Sequence, residues 1–234
     1  MNYFIFLYIL FFAELILGDF MNPVSFLSDK SHSNKSSNLK KKNDIIKENN
    51  QIVNDMNRTI IKLNTSNSIS LKGVINNKNT NRFLYDFSIN ENKNNLYLFI
   101  DSVGGSVEDG YKIISEVKKY NVTCVVEKAY SMAFAILQSC NKRYLLPYGK
   151  LMQHQISLGI MNELAKIESY LVFINQMENE LLKIQSDKIG ISSDDLKNKT
   201  YNEWWLFGDN AINENCADEI VNLSDLRLDS AIIL

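Results

Sequence analysis

Two short apolar runs, each followed by a helical pattern, constrain the fold of this chain more than any other feature. LYLFID (96–101) and VTCVVE (122–127) are almost continuously apolar and have the length of strands buried on both faces of a parallel sheet. The first run leads through a turn to a predicted helix over 107–120, for which Ser106 can serve as N-cap. The second leads to a short predicted helix over 132–140. Strands that alternate with helices predict an α/β fold.

Further predicted elements lie on both sides of these two pairs. SISLKGVI (68–75) reads as a strand before them, and KRYLLP and LMQHQ supply short strands after them. A last helix over 210–216, which Asp209 can cap, and a strand near 219–223 complete a folded domain over 59–234. The longest predicted helix covers 161–188 and stops at Gly190. Its apolar stripe consists of residues three or four positions apart, namely Leu164, Ile167, Leu171, Ile174, Met177, Leu181 and Ile184.

The first eighteen residues, MNYFIFLYILFFAELILG, are nearly all apolar. The run is short for a membrane span, which needs about 20 residues, and Glu14 interrupts it. We therefore interpret residues 1–18 as a secretory signal peptide, although no Lys or Arg precedes the apolar run and the cleavage site is poor. An uncleaved signal anchor and an apolar strand of the fold are the alternatives.

Residues 19–58 form a polar Lys/Asn-rich leader that is predicted to be disordered, because it has too few apolar residues to build a core. Five lysines and no acid lie between Lys30 and Asn43. This basic stretch is either a solvated linker or a targeting signal. In the second case, an apolar leader followed by a basic one resembles the bipartite leaders of apicomplexan plastid proteins, which implies entry into the secretory pathway and delivery to an apicoplast-type plastid.

Composition and charge argue against several classes of protein. The net charge of −2 argues against a nucleic-acid binder held mainly by phosphate contacts. Three scattered cysteines and two histidines do not provide the closely spaced ligands of a structural zinc site. An odd number of cysteines also excludes a complete disulfide framework.

Three positions could carry chemistry, although each also has an ordinary structural explanation. Gly104-Gly105 follows a buried strand and precedes a helix, where outward-facing amides can hold an anion, but a tight turn would need the same residues. Ser131 lies at the next strand-to-helix junction and could simply cap the helix. His154 is the single histidine of the predicted domain, so it is the one available imidazole base for a serine nucleophile.

Taken together, these segments resemble the Clp protease proteolytic subunit family. LYLFIDSVGGSVEDGYKII, YSMAFAILQS and KRYLLPYGKLMQHQISLG occur in the order of the family's Ser-Pro-Gly-Gly-Ser turn, Ala-Ser-Met-Gly nucleophile segment and Met-Ile-His-Gln segment. The resemblance covers about residues 68 to 226. It implies a Clp/crotonase-type spiral of ββα units with a long handle-like helix. It also implies that Ser131 is the nucleophile, His154 the general base, and the amides of Gly105 and Met132 the oxyanion hole.

The acid of the triad is less well defined by the resemblance. Aligning NAINENCADEIV (210–221) with the family's last helix and strand puts Glu203 at the family's Asp position, while Asp209 or no acid at all are alternatives. Val103 replaces the family's Pro, Ala133 replaces its Gly, and the segment between His154 and the long helix is shortened. The family's Arg beside the acid is not evident, since Asn202 and Trp204 flank Glu203.

The resemblance implies a serine endopeptidase subunit of a self-compartmentalised ATP-dependent protease that cleaves unfolded polypeptides into short peptides. The expected partners are identical or paralogous subunits in a heptamer-like ring and an AAA+ unfoldase that uses the ATP, with no cofactor bound by this chain. A catalytically inactive ring subunit is the alternative. Two less favoured hypotheses are a crotonase-type thioester enzyme and a Ser–Lys peptidase whose base is Lys128 or Lys150.

Overall fold

The computed structural model of the protein describes residues 39–47, 58–91 and 93–224. The chain divides into two units, Met1–Asp55 and Met56–Leu234. In the first, residues 39–47 form a helix, α1, every residue of which is exposed. This stretch, LKKKNDIIK, lies within the leader predicted to be disordered, and its leucine and lysines are good helix formers. The rest of that leader up to residue 57, and the predicted signal peptide, lie outside the described residues.

The second unit is built on a mostly parallel sheet. Its strand order is β2-β3-β4-β5-β6, with β7 paired to β5. The strands are β2 (Ser68–Ile75), β3 (Tyr97–Gly105), β4 (Thr123–Tyr130), β5 (Lys142–Gln153), β6 (Trp204–Phe207) and β7 (Glu219–Ile220). Neighbours from β2 to β5 are parallel, and β6 is antiparallel to β5. A separate parallel pair joins β1 (Ile60–Ile61) to β8 (Asn222–Leu223). The α/β prediction is confirmed.

Six α-helices accompany the strands among the residues that the structure describes in this unit. They are α2 (Asn77–Ile89), α3 (Val107–Lys119), α4 (Met132–Gln138), α5 (Leu164–Ile189), α6 (Ser193–Lys199) and α7 (Asp209–Asn213). Ser106 caps α3 as predicted, since its Oγ accepts a hydrogen bond from the Asp109 N–H at 3.2 Å. Gly190 ends α5 with φ +84°, also as predicted. Asp209 is instead the first residue of α7, and Gly208 occupies the cap position, so the predicted Asp209 cap is wrong.

β5 joins two strands that the sequence predicts as separate. It runs for 12 residues, from Lys142 to Gln153. The first part of β5 pairs with the start of β4, as far as Leu145 of β5 opposite Val126 of β4. Pairing resumes where Lys150 of β5 lies opposite Lys128 of β4. The intervening residues of β5 therefore bulge without ending the strand. As a result His154, the residue directly after β5, lies at the same edge of the sheet as the end of β4.

Two apolar clusters hold the elements together. In the main one, α4 is buried along its whole length among the sheet and α3 and α5. The second contains Ile61, Leu63, Phe99, Val125, Leu146 and Val221. α5 joins the main core through its second half only. Leu181 is 6% exposed, whereas Leu164 is 72% and Leu171 40% exposed. The predicted apolar stripe is thus a core element over about half its length.

The cysteines divide into one pair and one free thiol. Cys124 in β4 and Cys140 after α4 form a disulfide, and Cys216 is buried and free. Burial raises the pKa of the Cys216 thiol to about 12, so it is not a reactive thiolate. Within the part of the chain that the structure describes, no helix combines the length and the apolar character needed to cross a membrane.

Candidate active site

Ser131 occupies a strained turn between β4 and α4. Its backbone has φ +54° and ψ −121°, which a non-glycine residue adopts at a cost of about 1–3 kcal/mol. Two hydrogen bonds fix this conformation: the Ser131 N–H donates to the Met152 carbonyl at 2.9 Å, and the Ser131 carbonyl accepts from the Phe134 N–H at 2.9 Å. The hydroxyl makes no capping bond to α4. Ser131 therefore does not cap α4 through its side chain, and its hydroxyl is available for another interaction.

The glycine pair at the end of β3 packs against this turn. A Cβ on Gly104 would lie 2.5 Å from the Tyr130 carbonyl oxygen and 2.9 Å from the Ser131 Cβ. A Cβ on Gly105 would lie 2.2 Å from the Ile75 carbonyl oxygen. Both residues also have positive φ, +85° and +147°. Glycine is thus required at both positions, and its absent side chain lets the end of β3 approach the serine turn.

A buried serine that the sequence analysis did not single out holds this glycine turn. The hydroxyl of Ser102 donates to the Gly73 carbonyl at 2.6 Å and accepts from the Gly104 N–H at 3.1 Å. Ser102 is completely buried. Its side chain links the end of β2 to the turn and so restricts where the Gly105 amide can lie.

Ser131 and His154 line one cavity of about 360 Å³ at the carboxyl end of the parallel strands. Gly105 and Met132 line it as well, so four of the five residues predicted for the site are brought together. Its walls also include apolar side chains, among them Val103, Val107 and Leu181. Met132 is the first residue of α4, where the initial amides of a helix have no partner within the helix. The arrangement offers a hydroxyl, an imidazole and backbone amides in one apolar recess.

Glu203, the fifth residue, lies elsewhere. It is exposed, and its Oε2 accepts a hydrogen bond from the Trp205 indole N–H at 3.0 Å. Glu203 and Asp209 are both absent from the lining of the cavity, and among the described residues no carboxylate is hydrogen-bonded to the His154 imidazole. In the described part of the chain, no carboxylate therefore orients the imidazole in the way that the acid of a triad does.

The two lysines considered as alternative bases also lie outside the cavity. Lys128 forms an ion pair with Asp101 at 2.9 Å, and this hydrogen bond raises the pKa of Lys128. Lys150 is an exposed residue of β5. A lysine must be deprotonated and near the hydroxyl to act as general base, and the ion pair keeps Lys128 charged.

Comparison with known proteins agrees with this geometry. The sequence matches the model of the Clp protease family over residues 48–224. The chain belongs to the Clp protease family. As a member with a mostly parallel sheet and accompanying helices, it has the Clp/crotonase-type fold that the sequence analysis predicted.

The relatives are bacterial and distant. ATP-dependent Clp protease proteolytic subunit 2 of Pseudomonas aeruginosa is 28% identical over 131 residues, which is 54% of this chain and 65% of the relative. The subunit of the same name from Tropheryma whipplei is 26% identical over 133 residues, covering 55% of this chain and 74% of the relative. That from Cutibacterium acnes is 26% identical over 141 residues, covering 58% and 66%. The matches thus cover slightly less than two thirds of two of these relatives and about three quarters of the third, so this member of the Clp protease family is a divergent one.

Proposed function

We propose that the chain is a serine endopeptidase subunit of a Clp-type self-compartmentalised protease. The observation that carries the proposal is the cavity shared by Ser131, on a strained turn with its hydroxyl unused by the helix, and His154. A hydroxyl becomes a nucleophile only beside a base, so a serine and an imidazole in one recess indicate acyl transfer. Membership in the Clp protease family gives the same reaction class.

In this proposal Ser131 Oγ attacks the carbonyl carbon of a peptide bond while His154 removes the hydroxyl proton. The carbonyl oxygen becomes an oxyanion, which the amides of Gly105 and Met132 stabilise by hydrogen bonds. His154 then gives the proton to the leaving amine, and a peptide acyl group remains on Ser131. Water, deprotonated by His154, hydrolyses this ester and restores the free hydroxyl. The apolar walls of the cavity can accept an apolar substrate side chain.

The proposed partners follow from the family. The chain would assemble with identical or paralogous subunits in a heptamer-like ring, and an AAA+ unfoldase would use ATP to feed unfolded polypeptides to it. No cofactor bound by this chain is part of the proposed chemistry. The three relatives are named as proteolytic subunits of ATP-dependent proteases, which supports the division of labour between peptidase and ATPase.

A catalytically inactive ring subunit that supports active paralogues is the second candidate. The observation that favours it is the position of Glu203, which is bound to Trp205 and does not line the cavity. Without an acid to hold the imidazole in the reactive tautomer, Ser131 would be a weak nucleophile.

A fluorophosphonate probe discriminates between the two candidates because it reacts covalently with an activated serine. We expect intact-protein mass spectrometry to show one adduct per chain, mapped to Ser131, and no adduct in Ser131→Ala. His154→Ala should also abolish labelling. Absence of an adduct in the wild-type chain, purified with the subunits that co-assemble with it, would favour the inactive ring subunit.

We also propose that residues 1–18 direct the protein into the secretory pathway and that residues 19–58 guide it to an apicoplast-type plastid. The support is the order of the two segments, apolar and then basic. Amino-terminal sequencing of the mature protein should find a start beyond residue 18. An intact Met1 on protein extracted from membranes would indicate the alternative, an uncleaved anchor.

A further inference from the structure

Two buried glutamines connect the end of β5 to α5 directly behind His154. Gln153 is the last residue of β5 and is 7% exposed, and Gln185 on α5 is 2% exposed. Burying two amides without partners would be costly, so their contacts are informative. The family segment Met-Ile-His-Gln has isoleucine where this chain has Gln153, so the pair is not part of the resemblance.

The contacts form a directed chain of three hydrogen bonds. Gln185 Nε2 donates to the Leu181 carbonyl at 2.8 Å. Gln185 Oε1 then accepts from Gln153 Nε2, and Gln153 Oε1 accepts from the His154 backbone N–H at 3.1 Å. The orientation of both amides is determined, because the Leu181 carbonyl can only accept. Each side-chain amide therefore has one favourable orientation. Rotating either amide by 180° would place two oxygens, or two N–H groups, against each other.

These three hydrogen bonds end at His154, the first residue after β5. β5 stops at Gln153, and residues 154–163 before α5 have no helix or strand. The His154 backbone therefore lies just beyond the sheet ladder, and the Gln153 side chain folds back to hold it. Leu181, to which Gln185 is anchored, lines the same cavity as His154.

We propose that Gln153 and Gln185 are positioning residues that hold His154 at the place from which its imidazole reaches Ser131. Gln185 lies outside the cavity lining, and Gln153, which lines the cavity, holds His154 through a hydrogen bond from its backbone N–H. The inference rests on the proposed function, because it gives His154 the part of general base. It explains how this chain fixes the base without a carboxylate against the imidazole: the backbone is restrained through the amide pair on α5.

The test uses substitutions at Gln185, because this residue lies outside the cavity lining. Gln185→Leu keeps the size of the side chain and removes both amide contacts. We expect the rate constant of fluorophosphonate labelling at saturating probe to fall about tenfold or more, because a shift of the base by a fraction of an ångström is costly. The apparent affinity for the probe should be unchanged, since the cavity is intact.

Gln185→Glu is the conservative rescue. Burial favours the protonated carboxylic acid, whose carbonyl oxygen can accept from Gln153 and whose hydroxyl can donate to the Leu181 carbonyl. Labelling should return to within about twofold of wild type. Gln176→Leu, at an exposed glutamine of the same helix, is the matched control and should also stay within about twofold. If Gln185→Leu does not fold, Gln185→Met replaces it, because methionine is a good helix former that adapts its shape to a core and also lacks the amide.

Histidine ring signals in NMR spectra separate failure of this inference from failure of the proposed function. In His32→Ala protein a single imidazole remains, that of His154. We expect one sharp set of ring signals, which becomes broadened or shifted in Gln185→Leu and is restored in Gln185→Glu. A wild-type chain that does not label but shows these NMR changes would reject the peptidase and retain the positioning role. The positioning role would be overturned if folded Gln185→Leu labelled at the wild-type rate and showed wild-type ring signals. It would also be overturned if Gln185→Glu failed to restore labelling.

Discussion

At the scale of single residues, the turn at Ser131 depends on the absence of a side chain at Gly104. The Gly104 backbone lies against the Tyr130 carbonyl and the Ser131 Cβ, so it sets how β3 meets the turn. Without this contact, the backbone at Ser131 could relax from its positive φ to a more favourable value. Strain of this kind persists where the surroundings over-determine it, and here the surroundings are the end of β3 and the Met152 carbonyl.

We therefore predict that Gly104→Ala lowers peptide cleavage by about 100-fold, because the new Cβ displaces the Ser131 turn by an ångström or so. Gly208→Ala is the matched control: Gly208 also has a positive φ, +53°, but nothing lies within 4 Å of the position its Cβ would take. Cleavage of a fluorogenic peptide is the measurement. Equal losses in the two variants would mean that backbone strain, and not the contact with Ser131, is responsible.

The position of Glu203 leads to a second prediction. By resemblance alone, Glu203→Gln should lower turnover by about 10³ to 10⁴, as loss of a triad acid does. The exposed carboxylate contacts the Trp205 indole and not His154, and a glutamine oxygen can accept the same bond. We expect kcat to change by less than about threefold, as for other surface substitutions. A loss of several hundredfold would show that Glu203 turns toward His154 during the reaction.

The sequence was sufficient to locate Ser131, His154 and the glycine turn because each lies in a short continuous motif next to an element boundary. Gln185 could not be found in this way. It is 32 residues from Gln153, and its partner becomes visible only when α5 packs against the end of β5. Ser102 was missed for a related reason, because its role depends on the carbonyl of Gly73 in a neighbouring strand.

At the scale of elements, sequence patterns located the buried strands. They missed α2 and β6, whose formation depends on packing against the rest of the fold. α2, NKNTNRFLYDFSI, is rich in Asn, and its buried residues are Thr80, Phe83 and Phe87, so its apolar periodicity is weak. β6 was missed because four residues of aromatic sequence are too short to show alternation. β6 is a strand because it pairs with the end of β5.

A buried arginine links β5 to the end of α4 and to the segment after α7. Arg143, near the start of β5, is 2% exposed. Its guanidinium donates to Gln138 Oε1 at the end of α4, to the Asn215 carbonyl after α7, and to the Asp218 carboxylate. Its backbone N–H also donates to Asp218 Oδ2 at 2.7 Å. This network anchors the start of β5 at the edge of the sheet opposite to the site.

Its pH dependence is a third prediction. Burial raises the pKa of Asp218, but the hydrogen bonds and charge of Arg143 outweigh this and hold the pKa below its ordinary value. A carboxyl whose pKa is lowered in the folded state stabilises the fold above the unfolded pKa, near pH 4, and that stability is lost as pH falls through the folded pKa.

Asp218→Asn should therefore lower the free energy of unfolding by about 1–3 kcal/mol at about pH 7, because Arg143 stays buried with fewer partners. The difference from wild type should shrink below about pH 4. Urea denaturation at both pH values measures it. Asp194→Asn, at an exposed residue of α6, is the control and should show a smaller difference. A difference that does not depend on pH would contradict the account of Asp218.

At the scale of the whole molecule, the first half of α5 presents apolar side chains to solvent in the single chain. Val172 is 60% exposed and Phe173 45%. The sequence predicted a continuous stripe and could not show which half packs within the chain, because periodicity is the same for core and for subunit contact. Exposed apolar residues on one helix indicate a surface for another subunit, in keeping with the proposed ring.

A fourth prediction follows for Leu171, which the sequence analysis placed in the apolar stripe of the long helix. Leu171→Asp should leave the melting temperature of the chain close to wild type, because this side chain is 40% exposed. It should weaken assembly, because a charge would be buried between subunits. Asn175→Asp adds the same charge at an exposed polar residue of α5 and is the control. Sedimentation velocity decides, and a profile for Leu171→Asp identical to that of the wild type would exclude this face from the assembly.

Peptide cleavage by this chain requires Ser131 to act as a nucleophile with His154 as its base, in the recess where the parallel strands end. The most direct measurement is cleavage of a fluorogenic peptide by the assembled protein, compared with Ser131→Ala, His154→Ala and the double variant. We predict that each single substitution abolishes cleavage and that the double variant is no worse than either, because the two residues act as a unit. Unchanged cleavage in Ser131→Ala would contradict the account.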